Sequence, residues 1–253
     1  MITETFDNDT SAIINPPQNS NAVIVDACIL TFSHNIEQYV LSRFRPAKIG
    51  EFRFATGTTP IWLIETNGKK IAFYKTYVGG PACVGTIEES FQFVNTKKYI
   101  VFGGAGCLDK EIARGKVMVP NMAWRDEGTS YHYMPASDWV NIRNHEKVCD
   151  FMKQSKLPFV CGKTWTTDSM YRETRGNFEK RKADGCISVE MECASVQAMC
   201  DFRNLEFYTF FTSGDLLDAP EWDDRGSWDE FAVGSQHDAQ HFEIALKLAE
   251  FVS

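Results

Sequence analysis

The sequence predicts a single α/β domain, a mixed and mainly parallel central sheet sandwiched between helices. Three observations carry this. Short β-rich apolar runs alternate with amphipathic stretches along most of the chain. An Asn-Gly pair between two such runs marks a hairpin near the start. Finally, 253 residues with 43% apolar side chains, and no repeat, linker or low-complexity block, fit one large domain with a sizeable core.

The elements follow in chain order. Residues 1–20 form a polar leader without a basic start or an apolar stretch, so it is not a secretory signal. It reads either as a flexible tail or as a strap over a neighbouring subunit. The domain proper is expected over 21–253. Residues 22–29 are a β-rich run and 34–42 a helix; 60–65 and 70–77 flank the Asn67-Gly68 turn. Gly79-Gly80-Pro81 is expected to break the chain, with helical spacing over 86–94. Strands are expected at 99–102, 116–119, 159–166 and 207–212, and helices at 192–202 and 228–251. In sheets of this kind, ligands sit beyond the carboxyl ends of the strands.

Charge and cysteine usage narrow the function. A net charge of −8 argues against binding a nucleic acid polymer, which needs a basic stripe, but leaves room for a small anion held by local donors. No apolar run is long enough to span a membrane. The eight cysteines form no Cys-x-x-Cys pair and lie mostly in apolar segments, so reduced thiols and a cytoplasmic location are expected. His237 and His241 have a spacing that could reach one metal, but no third ligand or HExxH accompanies them, so neither metal nor cofactor is expected. There is no Gly-x-Ser-x-Gly nucleophile elbow.

Four segments carry candidate chemistry. Gly103-Gly104-Ala105-Gly106 follows the strand YIVF and reads equally as a structural turn or a ligand-facing loop; it fits neither the dinucleotide nor the Walker pattern. Glu190-Met191-Glu192 lies where an extended stretch meets a helix. There Glu192 either complements the helix dipole or accepts two adjacent hydroxyls, as a ribose offers, one on each oxygen. Ser213-Gly214-Asp215 ends an apolar strand, where Asp215 reads as a helix cap or as a proton donor. The stretch from Arg125 to Tyr133 packs charges, hydroxyls and aromatics together, as a solvated loop, a ligand wall or a subunit contact would.

Together these segments resemble the nucleoside phosphorylase superfamily of small-subunit purine and uridine phosphorylases and methylthioadenosine nucleosidases. The resemblance extends from about residue 22 to 252. It rests on VGGPACVGT at 78–86, the 103–106 glycines, RGKVMVP at 114–120, the 125–133 stretch and TDSMY at 167–171. VEME at 189–192, SGD at 213–215 and WDEF at 228–231 complete it. It implies that Glu192 and the backbone of Met191 hold the ribose hydroxyls, with Glu190 in support. It further implies that Asp215 protonates the departing base, that Met170 packs on base or sugar, and that Gly103, Gly104 and Ser213 line the site. Breaking an N-glycosidic bond puts positive character on the sugar and negative charge on the base, which these residue types address.

Two departures stand out. The strand arginine that holds phosphate in the phosphorylases is replaced by Val101, and the turn by the glycines has no hydroxyl. The Gly-Asp-Pro turn of the family's first strand is matched here to Val25–Ile29, which has neither an arginine nor the glutamate of the nucleosidases. Arg43, Arg45, Arg53 or Lys75 would have to substitute. Base preference is mixed: the 125–133 stretch is closer to uridine-type enzymes, whereas an acid at Asp215 is typical of purine cleavage, and no counterpart of the Gln and Arg that grip uracil is found. The leading reading is a pentosyltransferase releasing base and ribose 1-phosphate, with nucleoside and phosphate as partners. Hydrolysis by water on the same fold comes second, and a nucleoside-binding protein without turnover third. The resemblance also implies a homo-oligomer, a dimer or a trimer of dimers.

Overall fold

The computed structural model describes residues 1–9, 11–55, 57–113, 116–223 and 236–253. Arg114, Gly115 and the WDEF motif at 228–231 therefore lie outside the described residues, as does the side chain of His237. In chain order the elements begin with β1 (Val23–Ile24), β2 (Ala27–Thr31), α1 (His34–Phe44), β3 (Ala47–Phe54), β4 (Gly57–Thr66) and β5 (Lys69–Lys75). Then come α2 (Gly80–Ser90), β6 (Val94–Asn95), β7 (Lys98–Cys107), α3 (Lys110–Ala113), β8 (Val117–Asp126) and β9 (Trp139–Asn141). The rest is α4 (His145–Gln154), β10 (Phe159–Thr167), α5 (Arg175–Ala183), β11 (Cys186–Glu190), α6 (Cys193–Phe202), β12 (Glu206–Leu216) and α7 (Gln236–Val252).

The main sheet runs β11-β10-β8-β12-β7-β2-β5-β4-β3, with β9 on β8, and mixes parallel and antiparallel pairs as expected. Strand side chains alternate between its two faces. Ile100 and Phe102 of β7 join a core layer with α1, α4 and α7, whereas Tyr99 and Val101 join the layer under α2 and α6. Phe102 stacks on Phe210 of β12 inside the first layer. Burying each such ring contributes about 1.5–3 kcal/mol. These two layers make the three-layer sandwich that the sequence predicts.

One half of the sheet does not stay open. β11 pairs antiparallel with β7, Val189 opposite Gly106 and Ser188 opposite Cys107, so β7, β12, β8, β10 and β11 close on themselves. The 103–106 glycines are therefore not a turn; they lie within β7, which continues to Cys107. A Cβ on Gly106 would stand 2.7 Å from both Leu217 and Val189, so only glycine lets this seam close.

Other expectations shift for identifiable reasons. The 22–29 run is two strands, because Asp26 breaks it by accepting the Lys70 N–H at 2.8 Å. The turn that follows the first strand of the main sheet is thus Phe32-Ser33, with Val25–Ile29 at the strand's entry; a Cβ on Gly103 would meet the Phe32 ring at 3.0 Å. Pro81 does not break the chain; it occupies the first turn of α2, where its missing N–H costs nothing. The leader is mostly exposed, and its Ile2 side chain reaches Gly128. No helix among the described residues is long and apolar enough to cross a membrane.

Candidate active site

The antiparallel seam positions the site. Val189 pairs with Gly106, and Glu190, Met191 and Glu192 follow it directly at the end of β11. Gly104 is exposed, and the space above its Cα is open.

The two glutamates divide their tasks. Glu190 caps α6: its Oε2 accepts the N–H groups of Glu192 at 2.8 Å and Cys193 at 2.6 Å. Its Oε1 accepts the Thr166 hydroxyl at 2.5 Å. The helix-dipole role considered for Glu192 thus belongs to Glu190. Glu192 stands at the N-cap position without capping its own helix. Its Oε1 accepts the Gly79 N–H at 2.6 Å, and its Oε2 the Met191 N–H at 3.2 Å. Gly79 has φ 101°, which a side chain would strain, and this backbone points its N–H at Glu192. Each Glu192 oxygen keeps one acceptor direction unused by these bonds. Burial pushes Glu190 up to about 7 against its donors, and burial followed by the Glu190 charge pushes Glu192 to about 8.

Asp215 reaches the same seam by a β-bulge. Ser213 pairs with Ala105 and Leu216 with Cys107, so Gly214 and Asp215 together oppose the single residue Gly106. Such a bulge re-aims a side chain. Asp215 Oδ1 would lie 3.3 Å from a Cβ on Gly106, and Oδ2 accepts the Trp222 indole N–H at 2.8 Å. Ser213 is placed by its pairing with Ala105. Met170 sits in a short 3-10 turn, Met170–Arg172, after β10. The turn's cap is Glu173, which the sequence reading missed. Burial, and then the Asp215 charge, push its carboxyl up to about 7. Only the fold brings Glu173 and Trp222 to Asp215; nothing in their local sequence marks them.

The 125–133 stretch is neither an open wall nor a free loop. Arg125 is buried, stacked on Tyr131, and donates to Ser130, Ser137 and the carbonyls of Met134 and Pro135. Glu127 accepts hydroxyls from Ser130 and from Ser195 of α6. This polar hub supports the floor beneath α6.

The three candidate arginines do not gather at the glycines. Helix α1 runs back from the strand ends, so Arg43 and its left-handed cap Arg45 end at the far edge of the sheet. Arg53 sits on the edge strand β3, paired with Glu51 at 3.0 Å, four strand spacings or about 19 Å from β7. Lys75 comes closer: its backbone pairs with Thr31, at the end of the strand beside β7.

Against known proteins, residues 27–249 match the phosphorylase superfamily. The chain belongs to the phosphorylase superfamily. Its similarity to individual members is low. Uridine phosphorylase of Escherichia coli is 24% identical over 187 residues, 67% of this chain and 72% of that one. A DeoD-type purine nucleoside phosphorylase of Exiguobacterium sibiricum is 24% identical over 153 residues, 59% and 65% of the two chains. An uncharacterized protein of Acanthamoeba polyphaga mimivirus is 28% identical over 140 residues, 55% of this chain and 54% of its own. The superfamily fold is also seen in AMP nucleosidase from Bacteroides thetaiotaomicron, which superposes with a TM-score of 0.69 at 15% identity, covering 90% of this chain and 89% of that one.

Proposed function

We propose that this phosphorylase-superfamily protein is a pentosyltransferase: it cleaves the N-glycosidic bond of a nucleoside to free base and ribose 1-phosphate. The observation that carries this reading is the division of labour at the seam. Glu190 satisfies the start of α6, which leaves the buried Glu192 carboxyl with acceptor directions to spare, three residues beyond the Val189–Gly106 pair that the Asp215 bulge also faces. Glu192 takes the ribose hydroxyls; Asp215 gives a proton to the departing base as the sugar gains positive character. Met170 borders the nucleoside.

A second reading, hydrolysis by water, is favoured by one observation. The strand position of the phosphate arginine is the buried Val101, and the Phe32 ring rests against Gly103. A phosphate needs arginine forks or clustered N–H groups to offset its desolvation. Phosphate dependence should therefore be weak, saturating only at high concentration, unless a neighbouring subunit lends Arg53, Arg43 or Arg45. The test is initial rate against phosphate concentration, with the sugar product identified as ribose 1-phosphate or free ribose. If an arginine is lent, one of Arg43→Ala, Arg45→Ala or Arg53→Ala should raise the phosphate requirement without changing nucleoside affinity. Tight phosphate saturation in wild type, unmoved in all three variants, would contradict this account of the site.

Such lending requires an oligomer. Val78, Tyr171 and Trp222 are 58%, 88% and 58% exposed, and each adjoins a residue of the site: Gly79, Met170 and the Asp215 carboxyl. An exposed apolar rim of this kind suits a subunit contact that closes the pocket. Sedimentation should give at least a dimer, and a fully active monomer at all concentrations would refute this.

A further inference from the structure

Resting on the reading of Asp215 as the acid, the geometry points to Trp222 as its positioning residue: the indole N–H clamps one carboxyl oxygen so that the other is presented to the base. The two oxygens of Asp215 have distinct surroundings. Oδ2 accepts the Trp222 Nε1–H at 2.8 Å, whereas Oδ1 turns to the glycine seam, 3.3 Å from where a Gly106 Cβ would stand. A carboxyl held by one oxygen has lost its rotational freedom, and here the other oxygen faces Gly106 of β7, the residue paired with Val189, three positions before Glu192.

The clamp is firm because the segment carrying Trp222 is fixed from several sides. Leu216 and Asp223 bridge through their backbones, with Leu216 N–H to Asp223 O at 2.7 Å. From α5, the Arg175 guanidinium donates to the carbonyls of Leu217 at 3.3 Å and Ala219 at 3.0 Å, and Lys182 binds Asp218 at 2.9 Å. These contacts hold the turn without help from Trp222, so the indole–carboxyl bond is not needed for the turn itself. It is needed at Asp215, because the Glu173 carboxyl stands close enough to interact with it electrostatically. Without a donor on Oδ2, the protonated Asp215 carboxyl would be free to turn its O–H toward an ionised Glu173 instead of the base.

Trp222→Phe keeps a ring and removes the N–H. With an unactivated nucleoside, kcat should fall roughly 10- to 100-fold, the size of one hydrogen bond to a charged group, with KM little changed. With an activated leaving group, the loss should vanish. In an Asp215→Asn background, Trp222→Phe should cost nothing further, since the two residues act as a unit. Equal losses on both substrates, or additive losses in the double variant, would overturn the proposal. A measurement independent of turnover completes the test. The indole Nε1–H resonance of Trp222, assigned by its absence in Trp222→Phe, should lie downfield in wild type and lose that displacement in Asp215→Ala, which has no acceptor for it. An unmoved resonance overturns the clamp whatever the activity. A resonance that moves in a protein that cleaves no nucleoside supports the clamp and refutes the proposed reaction instead.

Discussion

Asp215→Asn is expected to lower turnover by about 10²–10⁴-fold on nucleosides whose base leaves poorly. The amide is nearly isosteric and can still accept the Trp222 N–H, so the variant removes the transferable proton and little else. The loss should depend on the leaving group. A base that departs readily as an anion needs no proton, so an activated nucleoside should be cleaved at close to the wild-type rate. If good and poor leaving groups suffer alike, Asp215 serves position or structure, and the proton must come from elsewhere. Glu173 is then the first residue to replace, because its carboxyl is the neighbour whose proton is held nearest to neutrality.

Glu192→Ala should remove most activity while leaving the protein folded. Assayed above about pH 8, where Glu192 is ionised, losing two charge-assisted bonds to the ribose hydroxyls, at roughly 1.5–3 kcal/mol each, lowers kcat/KM by about 10²–10⁴-fold. The substitution also strips the half-buried Gly79 N–H of its acceptor, which would loosen the start of α2. Glu192→Gln separates the two effects, since it retains an acceptor for Gly79 but no charge for the diol. Activity lost in both variants, with 2′- and 3′-deoxynucleosides discriminated less than in wild type, supports the diol role. Near wild-type turnover in a folded Glu192→Ala protein would make Glu192 a mere helix-terminus residue.

Much of this was legible in the sequence because it depends on local order. An extended stretch meeting a helix at Glu190-Met191-Glu192, and an apolar strand ending at Asp215, are visible without coordinates. What each acid does there was not legible, because it depends on partners far away in the chain. Glu190 rather than Glu192 serves the helix, since Thr166 and the α6 backbone converge on it. The glycines read as a turn or a ligand-facing loop because the apolar run YIVF ends at Phe102; the unforeseen closure by β11 extends β7 through them. Helices α3, α4 and α5 went unread for a simpler reason: α3 is a single turn. α4 and α5 are short and rich in charge, so their apolar faces are only a few residues wide, such as Phe178 in α5. The edge strand β3 alternates charged and apolar residues with its outer face in solvent, which hid it beside the strong Asn67-Gly68 hairpin signal.

The central claim is that this site breaks a base–sugar bond. It is tested most directly by incubating the wild-type protein with a panel of purine and pyrimidine ribonucleosides, with and without phosphate, and quantifying the free base released. The account predicts base release from at least one nucleoside, proportional to enzyme and abolished by neither omission of metal nor addition of chelator, and reduced at least about 100-fold in Asp215→Asn. Saturable nucleoside binding without base release, in either buffer and for every member of the panel, would contradict it.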